Sequence, residues 1–191
     1  MNEVPGARMT LYPPSALEGV LDRMAQQAAS LLRGAKRVVV VGVLRRGGPL
    51  ADRLVERLVR DHGLPAPERV DLKVKRYADD LTLLHPETRL TEEPRVASLA
   101  IEGATLLVVD DVLYTGHSAL KVVEYLVRAR PAALFLAVLA DRHATVLPVR
   151  ADVVGLRLEV APGDVVECHV PPYEPDFRVE LLRPSTRVAA R

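Results

Sequence analysis

Tryptophan is absent from this 191-residue sequence, aromatic residues make up 4% of it, and cysteine occurs once, at Cys168. A lone cysteine makes no internal disulfide and builds no thiolate metal site, so nothing here requires an oxidising compartment, and Cys168 reads as packing. So few aromatics leave no platform on which single-stranded bases could stack. Charge of one sign is also missing: 26 basic against 25 acidic residues leave a formal net charge of +1. That excludes a protein coated in positive charge for nucleic acid, and any such partner must use a local patch. No long apolar run occurs. The longest, Ala132 to Ala140, falls far short of the ~20 residues that span a bilayer, and residues 1 to 14 hold no apolar signal core. The expectation is a cytoplasmic protein with no membrane partner. Internal repeats, low-complexity tracts and linkers are absent too, so one domain is expected over residues 1–191, its core at about 15–183 between a frayed N-terminal arm and a frayed tail from Pro184.

What is present alternates. After Pro13 and Pro14, Ser15 and Glu18 are spaced as a capping box, and Leu17, Val20, Leu21, Met24, Ala28, Leu31 and Leu32 recur at helical spacing up to a stop at Gly34. Val38 to Val43 is a continuous β-branched run, as in a strand buried on both faces. A loop at Leu44 to Gly48 leads to Pro49, suited to a first helical turn, and to an apolar face through Leu50, Leu54, Leu58 and Val59 ending at Gly63. Val70 to Tyr77 alternates like a half-buried strand, whereas Ala78 to Pro94 is polar and reads as a mobile excursion. Ala104 to Val109 and Ala132 to Ala140 are further buried strands around a helix at Ser118 to Ala129, and weaker strands follow near Val153, Val165 to Val170 and Val179 to Leu182. This order predicts an α/β fold: a mostly parallel sheet with helices on both faces.

In such sheets ligands sit at the carboxyl ends of strands. Val108-Val109 delivers Asp110 and Asp111, then Tyr114, Thr115, Gly116, His117 and Ser118, straight into a helix. Thr115 and Ser118 offer hydroxyls, Gly116 lets backbone amides approach, and the helix start adds partial positive charge, together a phosphate cradle. Two adjacent acids can accept hydrogen bonds from vicinal hydroxyls or approach a hydrated Mg²⁺, so a sugar phosphate fits between acids and cradle. The alternative is that the acids merely end a strand and cap a helix. His117 has two readings, assisting a 5′-phosphate or pointing to solvent. Arg45 and Arg46 beside Gly47 are either a solvated pair or neutralise a pyrophosphate, and their place after a buried strand favours the second. His62, His85 and His169 show no ligand spacing and are expected at the surface, so no zinc site is indicated. Glu92 and Glu93 with Arg89 and Arg95 read as a solvated hairpin.

Val108 to Ser118 resembles the phosphoribosyl pyrophosphate (PRPP) motif of type I phosphoribosyltransferases, two acids followed by a Thr-Gly-x-Ser/Thr loop, and Val41 to Ala51 resembles that family's pyrophosphate loop. Within it the likeness is to the pyrimidine-operon regulators of the PyrR family, uracil phosphoribosyltransferases that also bind leader RNA. Tyr77 to Leu81, Asp110 to Gly116 and Leu147 to Asp152 follow that family's order over roughly residues 36 to 155.

The resemblance implies the type I phosphoribosyltransferase fold and transfer of ribose 5-phosphate from PRPP to a nucleobase, uracil first and a purine as the alternative, with Mg²⁺ carried by PRPP. Asp110 and Asp111 become the catalytic acids and the metal-facing groups. Tyr114, Thr115, Gly116, His117 and Ser118 take the 5′-phosphate, and Arg45, Arg46 and Gly47 the pyrophosphate. Arg76, Tyr77, Asp79 and Asp80 belong to a mobile loop, and Ala140, Asp141, Arg142 and His143 to the base region. A homodimer or higher homo-oligomer is implied. The chain departs from the family at Ala78, where an arginine is usual, and at His143, Ala144 and Thr145, where the regulators carry glycine, histidine and arginine. Leu156 to Glu159 replaces a polar, lysine-containing stretch. The departures at Ala144, Thr145 and Leu156 to Glu159 favour an enzyme over the competing reading, a nucleotide-sensing RNA-binding regulator with little catalysis, whereas Ala78 bears on closure of the mobile loop over PRPP, with Arg76 two residues earlier.

Overall fold

A run of valines with no helix-forming residue to interrupt it forms β2 (Val38–Leu44), every position buried except its last. The computed structural model describes residues 6–73 and 101–185. Around β2 lie β3 (Glu68–Lys73), β4 (Thr105–Leu113), β5 (Ala133–Asp141) and β6 (Val153–Arg157), in the order β3-β2-β4-β5-β6 and parallel throughout. Successive side chains of a strand point to opposite faces, so alternate residues enter two cores. Val38, Val40, Leu107, Val109, Ala137 and Leu139 meet α1 (Pro14–Leu32) and α2 (Gly47–His62) on one face. Val39, Val41, Val43, Leu106, Val108 and Val138 meet Val122 and Leu126 of α3 (His117–Val127) on the other. The chain is therefore an α/β fold with helices on both faces of a parallel sheet.

A second, antiparallel sheet joins Gly6–Tyr12 (β1), Arg178–Pro184 (β8) and Val165–His169 (β7) in that order. β7 (Val165–His169) and β8 (Arg178–Pro184) match the weak strands of the sequence, but β1 (Gly6–Tyr12) falls in the arm expected to fray. β1 is an exposed edge strand held by its ladder to β8, from Gly6 opposite Pro184 to Tyr12 opposite Val179. With five of its seven residues exposed it carries no hydrophobic alternation to detect.

Other local expectations are corrected. The cap of α1 is Pro13, with no side-chain cap bond, so Ser15 and Glu18 form no capping box. Glu18 instead pairs with the buried Arg57 of α2, which also bonds Asp22 at 2.8 Å and so ties the two helices together. The loop after β2 is shorter than Leu44 to Gly48, because Gly47 and Gly48 already form the first turn of α2. His62 is exposed as expected, but His169 is not at the surface. Its Nε2 lies 3.0 Å from Glu180 and its side chain is 13% exposed. Glu167, His169 and Glu180 form the one group with metal-ligating spacing among the described residues. Both carboxylates are already met by arginines, Arg8 on Glu167 and Arg178 on Glu180, and a cation would have to displace these.

Candidate active site

Because β2, β4 and β5 run in parallel, the loops that leave their carboxyl ends open on one edge of the sheet. The β2–β4 pairing extends to Gly42 opposite Val109, and beyond it the strands part. Gly47 fills the gap. A Cβ there would collide with the Val109 carbonyl oxygen and stand 3.1 Å from Asp110 Cα, so the first turn of α2 is pressed against the strand end that carries the acids. Gly42 is constrained likewise, a Cβ being 2.7 Å from Gly48 Cα. Two glycines thus let one loop approach another's backbone.

Asp110 and Asp111 remain within β4 and are 9% and 3% exposed. Asp110 Oδ1 accepts from the Asp111 amide at 2.8 Å, and Asp111 Oδ1 from the Val112 amide at 3.0 Å, so neighbouring backbone orients each carboxylate. Arg46 is half-buried, with Nη1 3.8 Å from Asp111 Oδ2. Its Nε and Nη2 donate to Glu174 Oε1 at 3.1 and 2.7 Å. Burial opposes ionisation of Glu174, but the Arg46 guanidinium and the Val170 amide outweigh it and hold the carboxyl below the usual range. Arg45 is exposed and lies over the Tyr173 ring at 5.2 Å.

The segment entering α3 turns at Gly116, whose φ of 91° is a left-handed conformation that other residues adopt only with strain. His117 and Ser118 open the helix, whose first amides and positive dipole end suit an anion. His117 resolves toward the loop: its Nδ1 lies 2.9 Å from Thr115 Oγ1. Tyr114 turns elsewhere, its ring stacked under the Arg142 guanidinium at 4.0 Å. Of the residues expected around a 5′-phosphate it is the one whose ring packs on Arg142.

Arg142 is buried, its amide donates to the Leu113 carbonyl at 3.0 Å, and its Nη2 donates to the Asp164 carbonyl at 2.8 Å. Ala140 is fully buried, and Asp141 Oδ1 accepts from the amide of His143, which is exposed with φ of 53°. The Val146 amide donates to the Thr115 carbonyl at 3.1 Å, tying the loop after β5 to the turn at Gly116. Cys168 is buried in the core as expected, its Sγ 3.7 Å from the Asp111 carbonyl. Arg76, Tyr77, Asp79 and Asp80 lie outside the described residues, as do Ala78 and His85.

The structure thus brings Arg45, Arg46, Gly47, Asp110, Asp111, Thr115, Gly116, His117, Ser118, Tyr114 and Ala140 to His143 to one edge. Sequence reading missed Tyr173 and Glu174, which reach that edge from the turn between β7 and β8. A Pro-Pro-Tyr-Glu turn carries no spacing that would have marked them.

A family profile described as the phosphoribosyl transferase domain matches residues 10–175. The bifunctional protein PyrR of Clostridium perfringens is 31% identical over 176 residues, 91% of this chain and 97% of the relative. That of Thermus thermophilus is 35% identical over 164 residues, 84% and 88% of the two chains. Among solved structures, a hypoxanthine phosphoribosyl transferase of Trypanosoma cruzi superposes with a TM-score of 0.73 at 21% identity, covering 96% of this chain and 95% of the other.

Proposed function

Since the chain belongs to the type I phosphoribosyltransferase family and is close to its PyrR members, we propose that it transfers the ribose 5-phosphate group of PRPP to uracil with release of pyrophosphate. The observation that carries this reading is one juxtaposition. A buried acid pair ends β4, the left-handed turn at Gly116 follows within the same segment, and Arg46 stands 3.8 Å from Asp111. Breaking the bond from C1 to pyrophosphate leaves positive charge on the ribose ring, so catalysis calls for fixed anions beside the sugar and fixed cations beside the leaving group. Asp110 and Asp111 face the ribose hydroxyls and the cationic centre, while Arg45, Arg46 and the first amides of α2 take the pyrophosphate. Thr115, Gly116, His117 and Ser118 anchor the 5′-phosphate, so binding remote from C1 holds it in line with the base nitrogen. The base rests against Ala140 to His143, on the loop that the Val146 amide ties to the phosphate turn.

The acid pair also fits Mg²⁺, a hard cation that takes carboxylate oxygens and keeps several waters. Asp110 and Asp111 would hold it together with PRPP, and when bound it neutralises charge on the departing pyrophosphate. The working unit is a homodimer or higher homo-oligomer in the cytoplasm, and no helix among the described residues is long and apolar enough to cross a membrane. Incubating the protein with Mg²⁺, PRPP and each nucleobase separately should release pyrophosphate with uracil foremost. Release with hypoxanthine or guanine alone would move the assignment to purines.

A regulator reading is less well supported. Of the arginines near the loop after β5, Arg142 is buried against Tyr114 and Arg150 and Arg157 are exposed, while the loop surface itself presents Ala144 and Val146, the latter 69% exposed. Specific RNA recognition needs cations and hydrogen-bonding groups there. Filter binding of pyrimidine-operon leader RNA against a scrambled control should therefore give equal affinities in the non-specific ~10⁻⁴ to 10⁻⁶ M range, unchanged by uridine monophosphate. Nanomolar, nucleotide-enhanced binding of the leader alone would make regulation the primary function.

A further inference from the structure

Arg46, which caps α2, and Glu174, in the turn after β7, are 128 residues apart in sequence, yet their side chains pair. Glu174 Oε1 takes both Nε and Nη2 of Arg46, and its Oε2 accepts from the Val170 amide at 2.8 Å. The carboxylate is therefore pinned to its own turn and cannot follow Arg46 if the arginine moves. Its side chain is 12% exposed, and that of Arg46 is 21% exposed. A guanidinium is a planar fork, so fixing the Nε–Nη2 edge fixes the direction of Nη1 as well. That third nitrogen points at Asp111 Oδ2 from 3.8 Å, too far for a hydrogen bond and close enough for attraction.

Glu174 and Asp111 thus both attract Arg46. Asp111 is 4% exposed at the side chain, and little solvent intervenes to weaken its pull on Arg46. Without Glu174 the guanidinium would swing to close on Asp111, joining the carboxylate that serves the ribose to the cation that serves the pyrophosphate. We propose that Glu174 is a positioning residue that holds Arg46 off Asp111, keeping the arginine directed to pyrophosphate and the aspartate directed to the sugar. This rests on the PRPP reading above and adds to it a residue that touches no substrate. Tyr173, under Arg45 at 5.2 Å, places the neighbouring arginine from the same turn.

The test is titration calorimetry of Mg²⁺–PRPP against wild type, Glu174→Ala, Glu174→Gln, Arg46→Ala and the double variant Arg46→Ala/Glu174→Ala, with melting temperatures alongside. Glu174→Gln keeps the shape and an acceptor for the Val170 amide, so it separates loss of charge from loss of the turn. Expected are a roughly tenfold weaker affinity in both Glu174 variants, a raised KM for PRPP with an unchanged KM for the base, and no further loss when Glu174→Ala is added to Arg46→Ala. A purely structural role would instead give additive losses and move both KM values. Wild-type affinity in Glu174→Ala and Glu174→Gln, or additivity with Arg46→Ala, overturns the inference and leaves the transferase reading intact. A wild-type chain that binds no PRPP overturns that reading and this inference together.

Discussion

Asp111→Asn should lower the rate of pyrophosphate release by ~10²-fold or more while the protein stays folded. The substitution keeps the size of the side chain and an oxygen able to accept from the Val112 amide, the bond that orients the native carboxylate at 3.0 Å. What it removes is one negative charge from a position 3% exposed, where electrostatic interactions are strong. In the proposed reaction that charge faces a centre that becomes cationic only as the bond to pyrophosphate breaks, so the loss would fall on the transition state and appear in kcat more than in KM. The measurement is steady-state pyrophosphate release with uracil, alongside circular dichroism and a thermal melt. A folded variant turning over like the wild type would remove Asp111 from the mechanism.

Gly47→Ala should be as damaging for the opposite reason, adding one methyl group rather than removing a charge. Its Cβ would collide with the carbonyl oxygen of Val109, a backbone atom that no rotamer change can clear, and would sit 3.1 Å from Asp110 Cα. Relief requires the first turn of α2 to withdraw from the end of β4 by something near an ångström. Misplacement on that scale costs about 10²-fold in kcat/KM, and crowding of a packed interior typically costs ~1–3 kcal/mol in stability. Gly163→Ala is the matched control, since a Cβ at Gly163 meets nothing within 4 Å. Urea denaturation and kcat/KM for PRPP read both quantities, and wild-type values for Gly47→Ala would show that the loop has room the structure does not indicate.

Much of this site could be read along the chain because its parts are local. The acids, the left-handed glycine and the start of α3 lie within nine residues, Asp110 to Ser118, and a buried strand running directly into a helix leaves few places for the loop between them. Gly47 was also legible as a member of a loop, although its contact with Val109 was not. His117 had two readings by sequence, and the structure adds a neighbour that spacing did not indicate, the Thr115 hydroxyl 2.9 Å from its Nδ1. Tyr114 shows the reverse: it sits inside the phosphate motif, but its ring is taken by Arg142, 28 positions along the sequence, on the loop after the next strand.

Hydrophobic periodicity and turn chemistry by themselves determined the parallel sheet, the faces of its helices and the loop that ends β4, because each is an average over neighbouring residues and survives whatever packs around it. The tertiary structure alone decided the rest. β1 has almost no buried face and exists by virtue of its hydrogen-bonded ladder to β8, which backbone groups supply whatever the side-chain pattern. Ser15 and Glu18 had the spacing of a capping box, yet Glu18 is drawn to Arg57, a buried cation that Asp22 also meets, because a charge-assisted bond there is stronger than a cap at a solvent-exposed helix start. Glu174 reaches Arg46 across 128 residues by the same logic, because charge pairing is settled by which groups the fold brings out of water together.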